Sequence, residues 1–444
     1  MAVVKPFTAL RYNQSKTSGP IGALICPPYD VIDNAMQEAL YQKSDHNVVR
    51  VEWGKTQPGD AEGNDRYSRA ADTFNTWMMN GVLTVDPKPG FYLYEQTFDI
   101  ASGGATRSKV VVRRGIFGAV KLEPFGTGCI YPHEETFGGP KADRLKLMQA
   151  CEANLSPVFG LVPDETHVIT ELLNKGVAMK RCDMELTEAN GVLNRLWVID
   201  DPAWCEAMQQ HLSSKNIFIA DGHHRYETSC NYRDERRKAD GDETGKNDAD
   251  YNYTLMMCVP MSDPGLYILP THRLIQTAPG LSKDAFLKEA EHFFAIRDAA
   301  DSELAQIAEE ERGAIKFGVI FNDGSKKVMI VKPQVEDTMK TAQPNKSAAW
   351  HALDVSVLQE IVLKNILKLS EEKVLRKEGV SYTPDTRQAI SKVTAKDNAY
   401  VMGFILRPTL IEQVRDVATG GEKMPQKSTY FYPKLLTGLV IRKL

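Results

Sequence analysis

The residues best placed to do chemistry sit in one short stretch, Ile217-Phe218-Ile219-Ala220-Asp221-Gly222-His223-His224-Arg225-Tyr226-Glu227. An apolar run ends at Asp221-Gly222, and a polar, helix-compatible segment follows from His223 to about Arg237. This pattern predicts a buried strand over Ile217 to Ala220, a turn, and a helix. Such a junction points unpaired backbone N–H groups and the positive end of a helix dipole at the space in front of it, which suits a phosphate. Arg225 lies in the first turn and can fork two hydrogen bonds to a phosphate.

Other kinds of site are poorly supported. Adjacent histidines on a helix diverge by about 100°, so His223 and His224 cannot easily share one ion, and no His-x-x-x-His or Cys-x-x-Cys pair backs them. No Gly-x-Ser-x-Gly elbow suggests a hydrolase. Neither a Gly-x-x-x-x-Gly-Lys-Ser/Thr loop nor a Gly-x-Gly-x-x-Gly fingerprint is present, which leaves a non-standard phosphate site.

Three further groups could join it. His133 and Glu134 fall on a loop between a strand and a helix, where catalytic groups concentrate; Glu134-Glu135 is either that or a solvated acidic pair. Lys427, Ser428 and Thr429 combine a cation with two hydroxyls and form either an anion-binding loop or a surface loop anchored by its aromatics. Asp30 and Arg50 flank a turn and helix in the first segment and serve either that turn or a ligand.

The elements that must position these groups alternate in type. Strands are expected at Asn47 to Glu52, Phe91 to Phe98, Ser108 to Val112, Gly115 to Pro124, Val158 to Val162, Arg195 to Ile199, Tyr251 to Met261, Leu266 to Pro270 and Ala399 to Leu406. A hairpin pairs Ile315 to Phe321 with Lys327 to Val331. Helices are expected at Asp33 to Gln42, Asp65 to Met79, Lys141 to Glu152, Glu165 to Lys175, Pro202 to Leu212, Ser282 to Phe294, Ser302 to Glu311, Val355 to Leu369, Pro384 to Ser391 and Thr409 to Val417. Residues 238 to 250 are too polar to pack and read as an exposed, mobile loop. The alternation implies a mixed α/β architecture, with segments 1–114, 115–278 and 279–444 as the expected divisions.

At 444 residues the chain can bury a sizeable core in two or three domains. Its 54 basic and 58 acidic residues give a net charge of −4, which offers no general attraction to nucleic acid or an anionic membrane. Seven scattered cysteines, an odd number, argue against a disulfide framework. The N-terminus lacks a signal-peptide h-region and no apolar run approaches the roughly 18 residues of a membrane span, so a soluble cytoplasmic protein is expected.

Through Pro27-Pro28-Tyr29-Asp30-Val31-Ile32, Asn47 to Glu52, Ala220 to Glu227 and Lys427 to Lys434, the chain resembles the domain-of-unknown-function family numbered one thousand and fifteen. Asp221 to Tyr226 also resembles the Gly-x-His-Arg box of the ParB/sulfiredoxin superfamily, most closely that of the free L-serine kinases. Pro132-His133-Glu134 is similar to a Pro-His-Glu motif of those kinases, and Pro425 to Thr429 to their C-terminal Pro-Lys-Thr-Thr-like loop with one extra residue. The N-terminal segment up to Arg114 has no counterpart in them.

The resemblance implies a ParB/sulfiredoxin-like nucleotide-binding core with an added N-terminal segment and a C-terminal α/β part. It implies phosphoryl transfer from ATP or ADP to the hydroxyl of a free amino acid, L-serine above others. Glu134 would be the base, aided by His133 and His224. Asp221, Gly222, His223, His224 and Arg225 would hold the nucleotide phosphates, Asp221 would help place Mg²⁺, and Lys427, Ser428 and Thr429 would bind the substrate. A phosphatase or phosphotransferase acting on phosphoserine, or a nucleotide-sensing module, would use the same pocket. Neither nucleic acid nor a membrane is an expected partner.

Overall fold

The computed structural model describes residues 2–444 except 18, 106, 137, 277–279, 281, 376, 377 and 398. The protein is a mixed α/β molecule built on two large sheets. The first, of nine strands among the described residues, runs in the order Ile130–Tyr131, Ile217–Asp221, Val158–Val162, Tyr253–Pro260, Val110–Lys121, Phe91–Asp99, Leu193–Ile199, Met184–Thr187. Val4–Lys5 adds against Val110–Lys121. The second sheet is antiparallel and orders Phe294–Asp298, Lys326–Val331, Lys316–Phe321, Tyr400–Ile405, His272–Gln276 and Val380–Thr383.

Pairing direction in the first sheet is what matters for the site. Ile217–Asp221 lies antiparallel to Val158–Val162 on one side and parallel to Ile130–Tyr131 on the other. Parallel neighbours end at the same edge, so the chain leaves both strands side by side, at Pro132-His133-Glu134 and at Asp221-Gly222. The interior strand is apolar on both faces because it is covered on both, with Ile217, Phe218, Ile219 and Ala220 all buried. Tyr131 stacks on Phe218 with ring centroids 5.1 Å apart, which fixes the short edge strand.

A small antiparallel ladder between Tyr267–Leu269 and Tyr430–Tyr432 brings the C-terminal chain back over the first sheet. Phe431 packs edge-on against Phe159 at 5.5 Å within the main core, which continues into Phe317 and Phe404 of the second sheet. The return path therefore delivers residues 424–434 to the edge where the two parallel strands end.

Most expected elements are present, and the differences have local causes. Asn47 to Glu52 is not a strand: Val49–Glu52 is a helical turn. The Asn47 amide donates to the Ala23 and Ile25 carbonyls at 2.8 and 3.1 Å, and its oxygen accepts the Val49 N–H at 2.9 Å, which ties down the start of that turn. Asp33 caps the following helix by accepting the Met36 N–H at 2.8 Å. The expected strands Ser108 to Val112 and Gly115 to Pro124 are one strand, Val110–Lys121. Gly115 permits this continuity, since a Cβ there would stand 2.5 Å from the Cys258 carbonyl oxygen.

The helix from Ser282 stops at Ala290, and Phe294–Asp298 becomes an edge strand of the second sheet. His272–Gln276 is a strand beyond those expected. The polar stretch 238–250 is partly pinned: the central helix extends to Asp240, and buried Asp242 accepts the Lys246 and Asn247 N–H groups at 2.9 Å each. The expected boundary after residue 114 falls inside the strand Val110–Lys121, and the one at 278 lies outside the described residues. None of the described helices is long and apolar enough to cross a membrane.

Candidate active site

The strand Ile217–Asp221 passes into the helix His223–Asp240 through Gly222, whose φ is +87°. A side chain is excluded there twice over, by the left-handed backbone and by the Arg225 guanidinium, which a Cβ would meet at 2.9–3.0 Å. Arg225 is buried and folds back on the turn, donating to the Pro157 carbonyl and to Asp221 Oδ2 at 3.2 Å. Asp221 also faces the Lys434 ammonium at 3.5 Å. Burial would raise its carboxyl pKa, but Lys434, Arg225 and Lys427 outweigh that and hold the group well below the usual carboxylate range.

His133 clamps the two parallel strand ends to the returning chain. Its Nδ1–H donates to the Ile219 carbonyl at 2.7 Å, leaving Nε2 to accept from the Thr429 hydroxyl at 3.0 Å. The His133 backbone N–H donates to His223 Nε2 at 3.2 Å, and its carbonyl accepts the Met424 N–H at 2.8 Å. Burial pushes both imidazoles below their ordinary range, His223 far below it. Both rings are therefore neutral at pH 7, and the contacts of His133 are those of a positioning residue.

Glu134 is the group these bonds position. Its Oε1 accepts the Lys427 N–H at 2.9 Å, across 293 residues of chain. Lys427 adopts a φ of +56°, a conformation a side chain rarely takes, and thereby turns its N–H onto the carboxylate. Burial alone would depress the Lys427 ammonium; Glu134, Asp30 and Asp221 overcome it and keep the group above its ordinary value. Burial also lowers the His224 imidazole pKa, against Glu134, which raises it, while Lys427 adds to the lowering. Asp30, Glu134, Asp221, His224 and Lys427 thus share one electrostatic neighbourhood although they come from four distant parts of the chain.

The remaining expected residues divide. The Thr429 hydroxyl faces His133, and the buried Ser428 hydroxyl donates to the Pro425 carbonyl, so both shape the loop. Arg50 lies outside the site, its guanidinium on the Ser44 and Tyr41 carbonyls and on Asp45. Two cations escaped the sequence reading. Arg273, pushed down to about 10 by burial, donates to the Gln426 and Lys427 carbonyls at 3.3 and 3.1 Å, holding the loop from the second sheet. Lys434 joins Asp221 from the end of the aromatic run Tyr430-Phe431-Tyr432. For Lys434 the available signal was a cation just after the aromatic run; Arg273, inside the strand His272–Gln276, left none.

Asp221, expected to help place Mg²⁺, faces Arg225 at 3.2 Å and Lys434 at 3.5 Å, and among the described residues no group of three His, Cys, Asp or Glu comes together to hold an ion.

Fold and site together define a mixed α/β protein with a composite polar centre in which carboxylates and cations from distant parts of the chain meet. The sequence profile of the family described as "Protein of unknown function (DUF1015)" matches residues 4–356, and the chain belongs to that family. Among curated proteins none matches the sequence. Similar solved structures include a conserved hypothetical protein from Pyrococcus furiosus, at 13% identity and TM-score 0.32, covering 69% of this chain and 89% of that one. Another is a free serine kinase mutant in complex with ADP, at 12% identity and TM-score 0.34, covering 74% of this chain and 90% of that one. A free serine kinase in complex with AMP is similar at 12% identity and TM-score 0.33, covering 74% and 89%.

Proposed function

We propose that the protein is a small-molecule kinase that moves a phosphoryl group from ATP or ADP to the hydroxyl of a free amino acid, L-serine first among them. The observation that carries this reading is the bond from the Lys427 N–H to Glu134 Oε1, which sets a carboxylate base beside a cationic, glycine-turned helix start. Glu134 takes the hydroxyl proton as the substrate oxygen bonds to phosphorus, and the bond from phosphorus to the bridging oxygen breaks, leaving ADP or AMP. Backbone N–H groups at Gly222 and His223 face the transferred group, and His224 lies beside the path from Glu134. Lys427 and Lys434 neutralise phosphate charge; Mg²⁺ bound to the nucleotide would supply further neutralisation there. Arg225 keeps the turn in shape through Asp221 and Pro157.

Phosphorus NMR of the purified protein with Mg²⁺, ATP or ADP, and a mixture of serine, threonine and homoserine tests this directly. A new phosphate-monoester resonance tied to one amino acid is expected. Its absence with both nucleotides would end the kinase reading, and phosphate release from phosphoserine without nucleotide would assign the pocket to a phosphatase instead.

A further inference from the structure

A cavity of about 700 Å³ opens beside the site, between the helix Asn34–Lys43, the loop after Met184–Thr187, and the chain Tyr430 to Leu436. Leu40, Leu186 and Leu436 give it apolar walls, and Pro27 and Tyr430 contribute flat faces. Lys434 lines it and also stands 3.5 Å from Asp221, so the cavity and the phosphate-binding turn are continuous through one ammonium. Lys434 lies 4.4 Å from the centre of the Tyr430 ring.

Besides Lys434, the polar side chains of Lys43, Thr187, Glu188, Asn190 and Tyr432 break the apolar lining, and two of them bear on a ligand. Tyr432 is 7% exposed, and its buried hydroxyl has no hydrogen-bond partner among the described residues. Leaving such a hydroxyl unpaired costs about 1–3 kcal/mol, a cost a ligand would remove. After burial, Glu188 is the group that most raises the Tyr432 pKa, and Glu188 lines the same cavity. One Glu188 oxygen accepts the Asn194 amide at 3.0 Å, and a carboxylate has further lone pairs to offer.

Resting on the kinase reading above, we propose that this cavity seats the purine nucleoside half of the nucleotide, with the phosphates leading out past Lys434 to the turn at Asp221–Arg225. The base lies between the leucines and the Pro27 and Tyr430 faces, its amino edge toward Glu188 and a ring nitrogen toward the Tyr432 hydroxyl. The acceptor amino acid is excluded by position: its hydroxyl must reach Glu134, which does not line the cavity, whereas Lys434, which does, stands 3.5 Å from Asp221. The wall from Pro20 to Lys43 belongs to the N-terminal segment, which thereby acquires a role in nucleotide binding.

Calorimetric titration with ADP and, separately, with inorganic tripolyphosphate tests the placement in the full-length protein. Ala39 is exposed at the rim on the helix, so Ala39→Trp can block the cavity without disturbing the core. It should weaken ADP at least about tenfold, and Tyr432→Phe, losing one hydrogen bond, should weaken it about fivefold. Tripolyphosphate affinity should stay unchanged in both. ADP binding untouched by both substitutions overturns the placement while leaving the kinase reading intact. A raised KM for serine at unchanged ADP affinity would give the cavity to the acceptor and overturn it too. Parallel loss of tripolyphosphate would show damage to the phosphate turn, which also counts against it; a wild-type protein that binds neither ligand ends both proposals.

Discussion

Two ionic clusters share a wall in this protein, and they are built to opposite ends. One gathers Glu52, Arg144, Asp143 and Arg66; the other gathers Asp221, Arg225, Lys434, Lys427, Glu134, Asp30 and Arg273. They meet at a pocket of about 30 Å³ lined by Glu52, Arg144 and Arg225, room for a single water. In the first cluster two carboxylates face two guanidiniums. Arg144 donates to the Glu52 carbonyl and carboxylate at 3.0 and 3.3 Å, Ser156 donates to Glu52 at 2.9 Å, and Tyr67 to Asp143 at 2.7 Å. The Tyr29 ring lies 4.2 Å from the Arg144 guanidinium carbon. In the second, four cations face three carboxylates. The first cluster is neutral and closed, whereas the second carries a positive surplus and borders a large cavity. An unbalanced charge beside open space, rather than burial or ion pairing as such, distinguishes the candidate site.

The sharpest way to break that comparison is to neutralise one acid in each cluster. Glu134→Gln should lower kcat about 10²–10⁴-fold with little change in stability, because the glutamine oxygen still accepts the Lys427 N–H while the base is lost. Glu52→Gln should leave kcat per folded molecule nearly unchanged. Steady-state rates on material whose folded fraction is checked by urea denaturation separate the two. Equal loss of turnover in both variants would mean that the Glu52 cluster belongs to the site.

Arg144→Ala probes the other side. Removing one partner of a buried pair strands a charge, so Arg144→Ala should cost about 3–5 kcal/mol in the free energy of unfolding. The urea midpoint should fall accordingly, with nucleotide affinity of the folded fraction retained. A midpoint within error of wild type would make the closed cluster ornamental and remove the contrast.

Local chemistry was legible in the sequence and long-range pairing was not. Strand, turn and helix at Ile217 to Asp240 follow from apolar run, Asp-Gly and polar segment, all within a few residues of one another. Glu134 and Lys427 were recognisable as reactive types, yet their hydrogen bond depends on the parallel pairing of Ile130–Tyr131 with Ile217–Asp221 and on the Tyr430–Tyr432 ladder. Neither leaves a periodicity in the sequence. Arg273 and Lys434 were missed because a cation at a strand end ordinarily meets solvent, and only the assembled sheets turn both inward. Asn47 to Glu52 was misread because Val48, Val49 and Val51 favour strands, while the Asn47 side chain overrides them by bonding two carbonyls and the next turn.

The smallest expected effect is also the most specific, because one carboxyl of each cluster, Asp221 and Glu52, should respond to acid with opposite signs. The Asp221 carboxyl is held below its unfolded value, so the folded state binds fewer protons there, and its contribution to stability is present above about pH 4 and lost as pH falls toward the folded pKa. The Glu52 carboxyl is pushed up by burial more than Arg144 and Ser156 pull it down, so the folded state binds more protons there. Its contribution therefore improves as pH falls through that raised value and is poorest near neutrality. Urea midpoints of wild type, Asp221→Asn and Glu52→Gln across roughly pH 3.5–7 expose the difference. The stability gap between wild type and Asp221→Asn should narrow on acidification, and the gap between wild type and Glu52→Gln should move in wild type's favour. Gaps that move in the same direction would show that the cations around Asp221 do no more than Arg144 does for Glu52, and the electrostatic distinction between the two clusters would fail.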